Sequence, residues 1–242
     1  MSSRCQIVLV YWSLAFITVF GLAAYFLVHV VPPPPPTNTD EQIAGFFTEH
    51  SLSIRLGALL AMTTTGFNIP VSAVISYQMA RLGRGMQPWA IVQGMAGALV
   101  SVWLVFPALV WGVAAFTPER APVVTRMLSD LSFLALVTTT PYFIFQVLSI
   151  AYACLSQKVD SPYFPRWFGY FSVWAFLVTE VGPLGFLAKT GPLAWNGLIV
   201  FWIPVLAFFS WFFTLAYVLI RALSDELGTR ETRTPRNAET VG

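Results

Sequence analysis

From Ile7 to Val31 the chain runs for the full width of a bilayer with no formal charge other than one on His29. A hydrocarbon core of about 30 Å takes roughly 20 apolar residues as a helix. Such a run folds as a spanning helix or exposes more apolar surface than water tolerates. It is too long for a signal-peptide core, and no small-residue cleavage site precedes the prolines, so an uncleaved first span is expected. Five more runs follow, at about 52–80, 89–116, 131–155, 167–188 and 193–223. The fold class predicted is all-α: a polytopic membrane protein with a six-transmembrane-helix bundle filling residues 1–223 as one domain. Composition agrees, with 57% hydrophobic and 10% charged residues, against roughly 25% charged in soluble domains.

Lysine and arginine set the orientation. With the N-terminus inside, nine of them (Arg4, Arg81, Arg84, Lys158, Arg166, Arg221, Arg230, Arg233 and Arg236) fall on the cytoplasmic side, and four (Arg55, Arg120, Arg126 and Lys189) fall outside. Both termini are therefore expected in the cytoplasm. A net charge of +2 and the lack of basic runs interleaved with aromatics exclude a nucleic-acid partner. Cys5 and Cys154 sit near the reducing face without metal-ligand spacing and read as inert.

The connectors differ in character. Pro32 to Pro36 is a polyproline spacer of roughly 15 Å. "TDEQIAGFF" after it reads as a helix start, with Thr39 and Gln42 completing a capping box and Ile43, Phe46 and Phe47 on one face. That predicts a short interfacial helix. The polar stretch from Ser224 to Gly242 reads as a disordered cytoplasmic tail. Pro70, Pro107, Pro141, Pro183 and Pro204 each fall inside an expected span and would kink it. The triplet Thr63 to Thr65 recurs at Thr138 to Thr140, and Ile75 and Tyr77 match Ile150 and Tyr152 at the same offset. Those matches are consistent with a parallel duplication of a two-helix unit.

No nucleophile elbow, zincin motif or phosphate loop is present in the sequence. The pattern points to no cofactor and no metal; His29 and His50, both near the outer face, read as interfacial histidines. What stands out is a one-sided polar cluster. Arg55 and Asp130 lie at equal depth on helices entering from outside and are expected to pair. Lys189, Trp195 and Asn196 occupy the last outer hairpin, "KTGPLAWNGL", with the last two expected in the first turn of helix six. Glu180 lies deeper, in "FLVTEVGPLGF", where an ionisable group is a functional candidate by default. Arg55, Asp130, Glu180, Lys189, Trp195 and Asn196 are thus the candidate ligand-binding residues. Snorkelling anchors at the bilayer surface are the bland alternative for the outer ones.

"FPRWFGYFSVW", "KTGPLAWNG" and "AAFTPER…LSDL" resemble a family of uncharacterised actinobacterial multi-pass membrane proteins, over about residues 46–221. The resemblance implies a six-helix bundle in a bacterial inner membrane and carries over no activity or site residue. The expected function is binding or translocation of a small amphipathic or lipid-like molecule through an outward-facing polar pocket. A membrane-embedded enzyme on a lipid or isoprenoid, with Glu180 or Asp130 as its acid, is the alternative; a structural subunit of a larger complex is another. The partners implied are the lipid bilayer, a small amphipathic ligand, and a second copy or partner membrane subunit.

Overall fold

In the computed structural model, residues 1–138, 141–158 and 161–233 are described, the last four of these as backbone only. Nine α-helices occur among them: α1 Ser3–Leu22, α2 Asp40–Glu49, α3 Ser51–Thr64, α4 Asn68–Arg81, α5 Gln87–Phe116, α6 Pro122–Thr138, α7 Pro141–Leu155, α8 Arg166–Thr179 and α9 Ile203–Arg233. Five helical stretches are long and apolar enough to cross a membrane: Ser3–Leu27, Ser51–Arg81, Arg84–Phe116, Pro122–Leu155 and Gly191–Thr229. The protein is an all-α membrane protein. Leu59, Met95, Val102, Leu177 and Leu206 are each at least 60% exposed, as lipid-facing side chains should be where tails replace water.

The prolines expected to kink spans sit in different settings. Pro107 lies inside a continuous α-helix. Pro70 falls in the first turn of α4, where the missing N–H is one that a helix start leaves unpaired anyway. Pro141 is the first described residue of α7, and Pro204 is the second residue of α9, just after the π-helical turn Leu198–Trp202 that leads into it. Pro183 follows the end of α8, inside a short 3₁₀ turn at Gly182–Phe186. The fifth expected span is therefore broken: α8 stops at Thr179, where Glu180 closes its last turn through an N–H to the Phe176 carbonyl at 3.2 Å.

The first threonine triplet marks such a break. α3 ends at Thr64, a 3₁₀ turn covers Thr65–Phe67, and α4 restarts at Asn68. At the second triplet, α6 is described as far as Thr138 and α7 from Pro141, and Thr139 and Thr140 lie outside the described residues. Thr64 and Thr138 each donate their hydroxyl to the carbonyl four residues back, Leu60 and Leu134. This back-bonding bends helices. The restart of α4 leaves backbone N–H groups without intrahelical partners, and Val71 gives its own to the Ser13 hydroxyl of α1 at 3.0 Å.

The helices are joined mid-bundle by amides rather than charges. Asn68 on α4 donates to Gln146 on α7 at 2.8 Å and to the Gly97 carbonyl of α5 at 3.1 Å. Gln146 in turn donates to Ser72 at 3.1 Å. All four residues but Gly97 are read by side chain, and Gly97 by what it lacks. A Cβ there would meet Ser72 Oγ at 1.9 Å and Gln146 Nε2 at 3.1 Å.

At one end of the bundle the chain's two described ends meet. Glu226 on α9 accepts from Ser3 at 3.1 Å and Tyr163 at 2.6 Å, and Arg81 stands 3.9 Å away. These contacts correct the expectation of disorder from Ser224 onward, since α9 continues as helix to Arg233; residues 234–242 lie outside the described residues. At the opposite end, α2 begins with the expected capping box. Thr39 N–H donates to Gln42 Oε1 at 2.8 Å, and the Thr39 hydroxyl accepts from Gln42 N–H at 3.3 Å. The buried Ile43 and Phe47 turn the helix onto the bundle, where it packs on α6.

Gly97→Ala should lower the melting temperature in detergent, because Ser72 must move and break its bond to Gln146; overpacking of this kind costs about 1–3 kcal/mol. Gly85→Ala, where a Cβ meets nothing within 4 Å, is the control. Equal melting temperatures for the two variants would show that the amide cluster does not depend on the close α4–α5 approach.

Candidate functional site

The segment from Val28 to Thr39 crosses the end of the bundle as a strap between α1 and α2. Proline carbonyls accept hydrogen bonds, but prolines have no N–H to donate. A run of five can be fastened only by donors, and two side chains that donate without accepting supply them. Trp195 Nε1 donates to the Pro34 carbonyl at 3.0 Å. Arg126 Nη2 donates to the Pro36 carbonyl at 2.6 Å, and Nη1 to that of Asn38.

Asp130, one turn along α6, orients the guanidinium by accepting from Arg126 Nε at 2.8 Å, while Asp40 stands 3.9 Å from Nη1. The Arg126 side chain is 16% exposed, so these charge-assisted bonds are little screened. The expected pairing of Arg55 with Asp130 does not form. Asp130 is engaged on its own helix, and Arg55 is exposed with its guanidinium 5.5 Å over the Phe116 ring.

The last hairpin is also built differently from expectation. Gly191, at φ +76°, and Pro192 open a 3₁₀ turn, and Ala194 to Gly197 form a second turn closed by Gly197 N–H to the Ala194 carbonyl at 2.7 Å. The helical path resumes at Leu198, as a π-helical turn leading into α9. Trp195 and Asn196 therefore precede helix six rather than opening it. A Cβ at Gly197 would lie 2.5 Å from the Pro192 carbonyl oxygen, which explains the glycine. Trp195 is buried and stacks on Phe133 at 6.0 Å, Asn196 is half-buried, and Lys189 is exposed.

Beneath the strap lies a cavity of about 290 Å³. Tyr25 at the end of the first helical stretch, Trp103 and Trp111 on α5, Phe143 on α7, and Pro204 and Phe208 on α9 contribute to its wall, with Val30 and Val31 of the strap over it. It is not sealed, and Tyr25, one of its lining residues, is 52% exposed. None of the lining residues is charged, and none of the six candidate binding residues is among them. The sequence signal for the cavity was faint: tryptophans well inside spans, where the interfacial belt does not explain them.

His29 and His50 flank the start of the strap with ring centroids 4.6 Å apart. Burial lowers the His29 pKa from its ordinary 6.5, and the nearby His50 lowers it further. Among the described residues no group of three or more His, Cys, Asp or Glu side chains could hold a metal ion.

Compared with known protein families, curated proteins and solved structures, the chain has no significant match.

Arg126→Ala should free the strap. Hydrogen exchange at Asn38, whose N–H closes a turn to the Pro35 carbonyl at 3.1 Å, should rise by at least tenfold, given about 1.5–3 kcal/mol for a bond to a charged group. Arg120→Ala, at a half-buried arginine that donates to the Val113 carbonyl, should leave it unchanged. Unaltered exchange in the first variant would mean that the strap is held without the guanidinium.

Proposed function

We propose that the protein is a non-enzymatic binding or translocation protein for a small lipid-like molecule, held in the cavity beneath the strap. The cavity carries the reading: about 290 Å³ of space with an apolar wall rich in aromatic rings and an unsealed side. Apolar cavities of this kind stay dry and take apolar guests, and ligand pockets begin near this size. The enzyme alternative has less support, because its acids are elsewhere. Asp130 serves the strap, and Glu180 does not line the cavity.

We take the bundle to cross the bacterial plasma membrane six times, in keeping with the family resemblance in the sequence. α8 has 14 residues and supplies about 21 Å, and the five-residue 3₁₀ turn at Gly182–Phe186 adds about 10 Å, together near a hydrocarbon thickness. The excess of Lys and Arg at the Ser3–Glu226 end supports a cytoplasmic position for it, with the strap outside. The ligand would then reach the cavity from the outer leaflet, past Tyr25.

Two measurements test these statements. In a background lacking Cys5 and Cys154, a cysteine at the exposed Thr37 should react with an impermeant reagent added outside intact cells, and one at the exposed Thr229 should not. The reverse pattern would invert the bundle and move the cavity mouth to the inner leaflet. Lipid extracts of the purified protein should contain a bound molecule that Gly21→Phe loses, since Gly21 lines the cavity and a ring there fills it. The variant should melt no lower than the parent, because cavity filling offsets the lost ligand. Retention of the same molecule in the same amount would remove the cavity as its site.

A further inference from the structure

Trp111 on α5 lines the cavity, is 1% exposed, and its indole Nε1 has no hydrogen-bond partner. A buried donor left unpaired is costly and rare, and calls for an explanation where it occurs. The other polar groups of the wall are accounted for. Trp103 Nε1 donates to the Ala135 carbonyl at 3.2 Å, the Thr179 hydroxyl donates to the Ala175 carbonyl at 2.8 Å, and Tyr25 is half in solvent. Ser101, Thr125 and Ser129 also have buried hydroxyls without partners, but none of them lines the cavity. Trp111 is held in place from behind by Phe133, 6.3 Å between ring centroids.

Resting on the cavity as the binding site, we infer that the ligand is a neutral lipid-like molecule whose carbonyl oxygen accepts the Trp111 indole N–H. Neutrality follows from the wall. No charged side chain lines it, and an unpaired charge could not be buried there. A carbonyl follows from what Trp111 can offer. Indole N–H donates and does not accept, so it matches a group that only accepts. A hydroxyl or amide would bring its own proton into the wall and need a second partner. Ketones, esters and quinones satisfy the requirement; free carboxylates and phosphate-bearing headgroups do not, unless the charged part stays outside the mouth.

The test uses the full-length protein in detergent and two probes of one shape: methyl nonyl ketone, and its isostere in which C=CH₂ replaces C=O. Trp111→Phe keeps the ring and removes the N–H. The ratio of ketone to isostere affinity should be about fivefold higher in the parent than in the variant, the net effect of one hydrogen bond. In the variant the ketone oxygen is buried unpaired, so the isostere should bind more tightly there, with isostere affinity within about twofold of the parent because its apolar burial is unchanged. The indole N–H resonance missing in the variant should shift in the parent on adding ketone and stay put on adding isostere. A ketone-to-isostere affinity ratio unchanged in Trp111→Phe, or an indole signal unmoved by ketone, would overturn the inference while leaving the cavity as a binding site. If neither probe binds the parent, the cavity reading falls and this one with it.

Discussion

Proline carbonyls with no matching N–H groups set the terms for one end of this molecule. The five-proline run cannot pair with backbone through donors of its own, and at a membrane surface its carbonyls need partners. Arg126 and Trp195 are suited because neither side chain asks for an acceptor bond in excess of what it gives. The consequences spread outward. Asp130 is recruited to orient the guanidinium, so it is lost as a partner for Arg55. Trp195 must be buried to reach Pro34, which draws the last hairpin inward as two tight turns and delays helix six to Leu198.

Those consequences also explain which features were legible in the sequence. Apolar length, the capping box at Thr39 and the packing face of α2 depend on local pattern, and the structure has them. Pairing of Arg55 with Asp130 rested on shared depth, but depth says nothing about which way a side chain faces around its helix. The continuation of α9 past Ser224 was invisible for a related reason. Its polar turns are held by Ser3 and Tyr163 through Glu226, contacts between positions far apart in the chain. Prolines were read as kinks because hydropathy does not distinguish a bent helix from two helices end to end. The first threonine triplet was the better sign, since its hydroxyls compete for the same carbonyls that a continuous helix needs.

Several polar groups in the interior are paired across helices by neutral partners. Amides join α4, α5 and α7 through Asn68, Gln146 and Ser72, and Trp211 donates to Ser172 at 2.9 Å between α9 and α8. In hydrocarbon such bonds contribute modestly each, about 0.6 kcal/mol on average. Their larger effect is geometric, because the cost of leaving an amide unpaired fixes the register of the helices that carry it. Gly97 lets α4 and α5 approach closely enough for that register, and the break below Thr64 turns a backbone N–H toward Ser13 that would otherwise be spent within the helix.

The cavity and the strap belong to one device. Val30 and Val31 of the strap stand over the cavity, and the ring sequence Trp195, Phe133, Trp111 runs from the strap's anchor to the cavity wall in steps of 6.0 and 6.3 Å. Packed aromatic rings do not shift singly, because interiors are close-packed and a displaced ring leaves a void. A guest that repositions Trp111 would therefore press on Phe133 and then on the tryptophan that holds Pro34. Loosening the strap would in the same way remove support from the cavity wall. The two ends of this chain of contacts differ in chemistry: charge-assisted bonds at the rim and a neutral, apolar wall within. Ionic strength should act on the first and ligand hydrophobicity on the second, so their coupling can be separated by varying each while reading the other. Salt that weakens Arg126 at the rim has no direct hold on a neutral guest, and any change it makes in occupancy has to travel through the strap.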